Sequence, residues 1–195
     1  MSGVVPRHAW LSVMLAMLWL PVAGSQTADL PPEWDVRANL TSLVEQTQRL
    51  MPVLEAVKPE LWSQKGAPDA YQAQWKSIVA EIDYIGRVAG ELEREPERLT
   101  LALETHFGLQ SLDAMLNSLN EGIRRYHNPA LADLLSGTMT ASAAQREKLR
   151  QYIVQLAAAK EQELKVMDLE AQRCRAMVSR QLPAKGAPGK KAEPK

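Results

Sequence analysis

The stretch SAAQREKLRQYIVQLAAAKEQELKVMDLEAQRCRAMVSRQ, residues 142–181, decides the fold class. It contains neither Pro nor Gly. Leu149, Ile153, Leu156, Leu164, Met167, Ala171, Cys174 and Val178, with Lys160 as the polar member, recur at three- and four-residue steps. A strand alternates every second residue, whereas these steps mark one face of a helix. Ala, Leu, Glu, Gln, Lys and Arg dominate the stretch, and all are good helix formers. At ~1.5 Å per residue the helix extends for about 60 Å. A stripe of this length suits coiled-coil pairing with a second chain through residues such as Leu164 and Met167. The helix is longer than its neighbours, so its C-terminal half either overhangs the bundle, free or paired with a second copy, or has the first or second helix packed along it, and that packed arrangement is the expectation.

Upstream of this helix the same periodicity returns between Pro- and Gly-marked breaks. Leu30-Pro31-Pro32-Glu33 reads as an extended lead-in, with Asp35 placed to cap a first helix carrying Val36, Leu40, Leu43, Val44, Leu50, Met51, Leu54, Val57 and Leu61. Pro52 predicts a kink near Met51. After a loop at residues 64–69, Tyr71, Trp75, Ile78, Val79, Ile82, Ile85, Val88, Ala89 and Leu92 form the inward stripe of a second helix. Pro96 is preset to open a third helix running to about Tyr126, with Leu99, Leu103, Phe107, Leu112, Met115, Leu116, Leu119 and Ile123 inward and Gly108 a tolerated weak point. A short helix from Pro129 to Leu135 should stop at Ser136-Gly137. The fold class expected is therefore all-α: an antiparallel bundle of about four helices with a long C-terminal helix.

The N-terminus has a different character. Arg7 and His8 precede an apolar run from Ala9 to Leu20, then Pro21 and the small residues Ala23, Gly24 and Ser25 follow. That is the three-part form of a cleavable signal peptide, and the run falls short of the ~20 apolar residues a membrane span requires. The organisation expected is a signal peptide at 1–24, the lead-in at 25–34, the bundle at 35–182 and a basic, aperiodic tail at 183–195. Cleavage falls before Ser25 or Gln26. The mature chain is then exported, to a periplasmic or extracellular space, without a stable membrane anchor. No Cys stands near the junction to carry a lipid. Cys174, the single cysteine, cannot staple its own fold. It is expected to pack as a small apolar residue, the alternative being a bridge between two copies.

Lys plus Arg balances Asp plus Glu at 23 each, so no global field directs the chain toward nucleic acid. The motifs by which bundles perform chemistry are missing. Of the two histidines beyond the signal region, His106 follows Leu103 and His127 follows Arg124 at the third position, so no Glu-x-x-His di-iron pair exists. One cysteine precludes Cys-x-x-Cys-His, and neither His-Glu-x-x-His nor Gly-x-Ser-x-Gly occurs. His106 is the residue a non-covalent haem or small ligand would use if it faced Met51 or Met115; the plainer reading leaves it at a face boundary or the surface. His127 is placed to meet the last carbonyls of its own helix. Glu91, Glu93, Glu95, Glu161 and Glu163 lie among Arg and Lys and read as solvated faces. The run Glu121-Gly122-Ile123-Arg124-Arg125-Tyr126-His127 gathers cations at the end of the third helix, where receipt of an acidic ligand and compensation of the helix dipole account for them equally. Asn39-Leu40-Thr41 is a formal glycosylation sequon inside a helix.

The function expected is that of a non-enzymatic, exported helical bundle acting through protein contacts or self-association, with no cofactor. Leu164, Met167, Trp34 and Trp62 are its candidate contact residues. Both tryptophans flank the first helix, where a packed Trp pins the helix end and an exposed one marks a contact site. The alternative is a bundle carrying a small ligand or haem in its core.

Overall fold

The computed structural model describes residues 30–181. The expected signal peptide, the start of the lead-in and the basic tail lie outside the described residues. Six α-helices follow in order: α1 Glu33–Gln48, α2 Leu50–Glu55, α3 Ala70–Arg94, α4 Leu99–Tyr126, α5 Pro129–Thr140 and α6 Ala143–Gln181. Two 3-10 turns, Pro59–Leu61 and Ser63–Lys65, link α2 to α3. They make an up-down-up-down bundle of four columns, of which the first (α1 with α2) and the last (α5 with α6) are each broken once. The expected fold class is thus present, with a long C-terminal helix.

Cross-links fix the direction of each column. Between α3 and α4, Tyr84 donates to Glu104 at 2.7 Å while Gln74 donates to the Met115 carbonyl at 3.1 Å, so the two run antiparallel. Trp75 donates to the Leu54 carbonyl and Thr41 to Glu93, which sets α1 and α2 antiparallel to α3. Asn39 reaches the Gln145 carbonyl, and Tyr152 reaches the Pro96 carbonyl at the far end, so α6 opposes both α1 and α4. Leucine and isoleucine fill the interior, with Leu40, Leu43, Leu54, Ile78, Ile85, Leu112, Leu116 and Ile123 among the fully buried side chains. Each such side chain contributes roughly 1.5–3 kcal/mol of transfer free energy.

Several boundaries differ from the sequence expectation. Helix α1 starts two residues before Asp35: the Pro32 carbonyl accepts from the amides of Asp35 and Val36, and no side chain caps it. Asp35 lies instead in the first turn, where a carboxylate complements the positive helix end. The break falls at Arg49, ahead of Met51. Pro52 is the third residue of α2, a position whose N–H has no intrahelical acceptor, so the proline costs no hydrogen bond. Pro96 is buried in the turn before α4 and does not open that helix. Asn128 caps α5 by accepting from the Ala130 amide, and α5 runs through Ser136-Gly137 to Thr140. Ser136 explains the continuation: its hydroxyl donates to the Ala132 carbonyl and accepts from Asn120 on α4.

The inward face of α4 is also rotated in its first half. The 3-4 steps of Leu112, Leu116, Leu119 and Ile123 continue backward through Leu109, Thr105 and Ala102, all buried. Phe107 sits five residues before Leu112, about 140° round the helix by its ~100° per residue, and is 59% exposed. Leu99 and Leu103 are only partly buried. Gly108 is a point of close approach: a Cβ there would meet Ile85 Cγ1 at 3.1 Å and Glu81 Oε1 at 3.3 Å.

At one end of the bundle Trp62, Tyr71, Tyr126 and His127 cluster, with Trp62 edge-on to Tyr71 at 5.6 Å and stacked on Tyr126 at 6.2 Å. This cluster leaves no room at Gly122, where a Cβ would lie 2.6 Å from Tyr71 Cε1 and 3.0 Å from Trp62 Cζ3. Gly122→Ala is expected to cost about 1–3 kcal/mol by overpacking, read as a lower thermal midpoint. At the other end Tyr152 donates to the Pro96 carbonyl at 2.5 Å. Burial, reinforced by Glu97 and Glu33, raises its phenol above the ordinary value. A raised folded value means that stability is held while the phenol is neutral in both states and falls as pH climbs past 10 through the folded value. Tyr152→Phe is expected to lose about 0.5–1.5 kcal/mol near neutral pH and to flatten the alkaline decline, measured by denaturant titration at neutral and strongly alkaline pH.

Candidate interaction surface

Helix α6 changes environment along its length. Leu149, Tyr152, Ile153 and Leu156 are buried against α1 and α4. The last tie to the bundle is Lys160, whose ammonium lies 3.7 Å from Glu97 and 3.1 Å from Glu163. From Glu161 to Arg180 every residue is exposed except the half-buried Ala171. The projecting segment is about 30 Å long at ~1.5 Å per residue. The expectation that an earlier helix packs along all of α6 is therefore corrected. Tyr152 meets the Pro96 carbonyl in the turn between α3 and α4, Leu156 is the last fully buried side chain one turn beyond it, and among the described residues no column covers α6 past Lys160.

Both candidate contacts on α6 lie on the projecting segment. Leu164 is 65% exposed and Met167 63%, and Val166, Leu169, Met177 and Val178 are exposed with them. Cys174 stands in the same stripe and is exposed, against the expectation that it packs in the core. The stripe stays apolar past Leu156, but the helices that would cover it have ended.

The two tryptophans part company. Trp62 is 2% exposed and pins the 3-10 turns to the ends of α3 and α4. Trp34 is 71% exposed on the first turn of α1, at the bundle end where α6 departs. Sequence periodicity alone leaves its environment open because it lies at a helix terminus.

The remaining candidates are held by internal partners. His106 is half-buried at the edge of the inward face of α4, with Gln110 Nε2 at 3.2 Å and the Phe107 ring at 5.8 Å. His127 Nε2 is 3.0 Å from the Ala56 carbonyl, so the imidazole meets the end of α2 and not its own helix, which its backbone amide closes by donating to Ile123. Arg124 pairs with Asp133 at 2.5 Å, and Arg125 lies over the Tyr126 ring. Asn39 Nδ2, the atom a glycan would join, donates to the Gln145 carbonyl between α1 and α6 at 3.0 Å. That bond lines an open groove of about 520 Å³ with Asp35, Lys148, Tyr152 and Gln155 around it. Arg146 closes the α4–α6 seam through Asp113 and the buried Ser142 hydroxyl.

Among the described residues no group of three His, Cys, Asp or Glu side chains comes together, and no helix is long and apolar enough to cross a membrane. Glu147, held by Arg150 and Gln151, has its carboxyl lowered to about 2, a solvated ion pair one turn apart on α6. No family model matches the sequence, and neither the curated proteins nor the solved structures contain a match to it.

Proposed function

We propose that the chain is an exported helical-bundle protein that works through protein contacts, without catalysis, and that the projecting half of α6 is its contact surface. The observation that carries this reading is the exposure of an unbroken apolar stripe, Leu164, Met167, Ala171, Cys174 and Val178, on a helix that has left its own bundle. Large exposed apolar patches on a soluble fold mark sites of association. A helix presenting residues at three- and four-residue steps is the form in which helix-to-helix recognition occurs. Export is supported by Arg7, the apolar run from Ala9 to Leu20, and the small residues ahead of Ser25. A structural body is favoured over a ligand carrier because the interior is filled by aliphatic side chains and His106 meets Gln110 of its own helix at the edge of the buried face.

The test uses the full chain in the cells that make it. Photo-crosslinkers placed at Val166 and Met177 are expected to capture protein, either another chain or a second copy. Leu164→Lys/Met167→Lys is expected to reduce that capture at least tenfold and to leave the thermal midpoint unchanged within about 1 °C, since surface substitutions stay near ±0.5 kcal/mol. Capture that persists in the double variant, or that maps to the bundle body, removes α6 as the contact surface.

A further inference from the structure

The charge along the projecting segment is divided into two blocks. Residues 161–170 carry Glu161, Glu163, Asp168 and Glu170 against Lys165, four acids to one base, net −3. Residues 171–181 carry Arg173, Arg175 and Arg180 and no acid, net +3. Two copies side by side in the same direction set acidic block on acidic block and basic on basic. Reversing one copy sets each acidic block on a basic one and also opposes the two helix dipoles.

The apolar stripe carries the same conclusion to the level of residues. Leu156, Lys160 and Leu164 are separated by two successive four-residue steps, a stutter that ends the bundle-facing pattern. From Leu164 the steps run three, four, three, four through Met167, Ala171, Cys174 and Val178, a heptad seam. In an antiparallel pair, seam residues of the two alternating kinds face each other. The alignment that centres the overlap on the exposed stretch sets Met167 on the partner's Val178 and Ala171 on the partner's Cys174. It brings Asp168 beside the partner's Arg175 twice, by symmetry, and Glu170 beside the partner's Met177. Shifting the register one heptad toward the bundle faces Asp168 with its own copy and Glu170 with its own copy. The parallel arrangement sets Glu163 on the partner's Asp168 twice, against two favourable pairs of Glu170 with the partner's Arg175. The chosen alignment is the one among these without a like-charge pair, and it stops the partner's helix end at Leu164, short of the rim where Lys160 meets Glu97.

We infer that the occupant of the projecting half of α6 is the same segment of a second copy, running antiparallel, with Met167 on the partner's Val178 and Asp168 on the partner's Arg175. This rests on the contact surface proposed above and names its partner. The pair is isologous and closes on itself, so it ends at a dimer. It places the two bundle bodies at opposite ends of a shared two-helix connector.

The test begins with sedimentation equilibrium of the mature chain, where a concentration-dependent dimer is expected. Asp168→Arg weakens it by roughly two- to thirtyfold in Kd, Arg175→Asp does the same, and the two reversals together restore it. In a parallel dimer Asp168→Arg strengthens association instead, because it removes two repulsions with Glu163. Direction is read independently in a Cys174→Ser background. Met167→Cys with Val178→Cys crosslinks between chains under mild oxidation, while Met167→Cys alone does not, its own copy being about 16 Å away at ~1.5 Å per residue. A covalent dimer from Met167→Cys alone, or tighter association of Asp168→Arg, overturns the antiparallel assignment. A monomer at millimolar concentration overturns self-pairing altogether; capture in cells that still depends on Leu164 and Met167 then leaves α6 as a contact surface for another protein, so the two readings fail separately.

Discussion

The turn at residues 95–98 sets the height of the bundle, and most else follows from it. The α3–α4 hairpin is the most extensive helix pair in the fold, and its aliphatic stripes can cover other helices only as far as that turn. Tyr152 marks the level, since its hydroxyl reaches the Pro96 carbonyl, and Lys160 makes the last contact two turns later through Glu97. Helix α6 has no such limit in its own sequence, because no Pro or Gly interrupts it before the tail. The projection is thus a mismatch between a helix without a stop signal and a body whose height a short turn has fixed.

The opposite end of the bundle is built on a different principle. There the chain is tied down by aromatic stacking and by side chains reaching across to carbonyls. Trp62, Tyr71 and Tyr126 form one contact set. Trp75 and His127 bond the Leu54 and Ala56 carbonyls at the end of α2, and Lys65 bonds the Tyr126 carbonyl at 2.7 Å. Carbonyls at a helix end lack intrahelical partners, so a donor from a neighbouring column satisfies them and fixes the spacing at once. Lys58 adopts a left-handed conformation immediately before Pro59 there, a backbone state the surrounding contacts hold in place.

Helical periodicity made the element order legible, and it did so best where both faces of a helix differ strongly, as in α3. It missed the first half of α4, because Leu99, Leu103 and Phe107 form a plausible stripe by size, whereas the true face joins Leu101 and Leu109 to the small residues Ala102, Thr105 and Gly108, the last of which approaches α3 closely. Size-weighted reading overlooks contacts made by the absence of a side chain. Helix α5 outran its expected stop because Ser136 is held by Asn120, a partner sixteen residues away that no local rule includes. Cys174 and the seam around it were visible as a stripe, but whether a stripe is covered depends on how far the other columns reach, which is a property of the assembled bundle. Trp34 and Trp62 have the same side chain at two helix margins, and their opposite fates, 71% and 2% exposed, come from which end of the bundle carries the aromatic cluster.

The continuity of α6 through the bundle rim has a further consequence. An isolated helix of this length in water is marginal, because its first turn must be fixed at the expense of several backbone dihedrals before any repayment in hydrogen bonds. The buried half of α6 has already made that first turn, anchored by Leu149, Tyr152, Ile153 and Leu156. The exposed half only propagates a helix that tertiary packing has nucleated. It therefore stands as a preformed rod, and the association proposed for it would forfeit little conformational freedom compared with the folding of a flexible strand onto a partner.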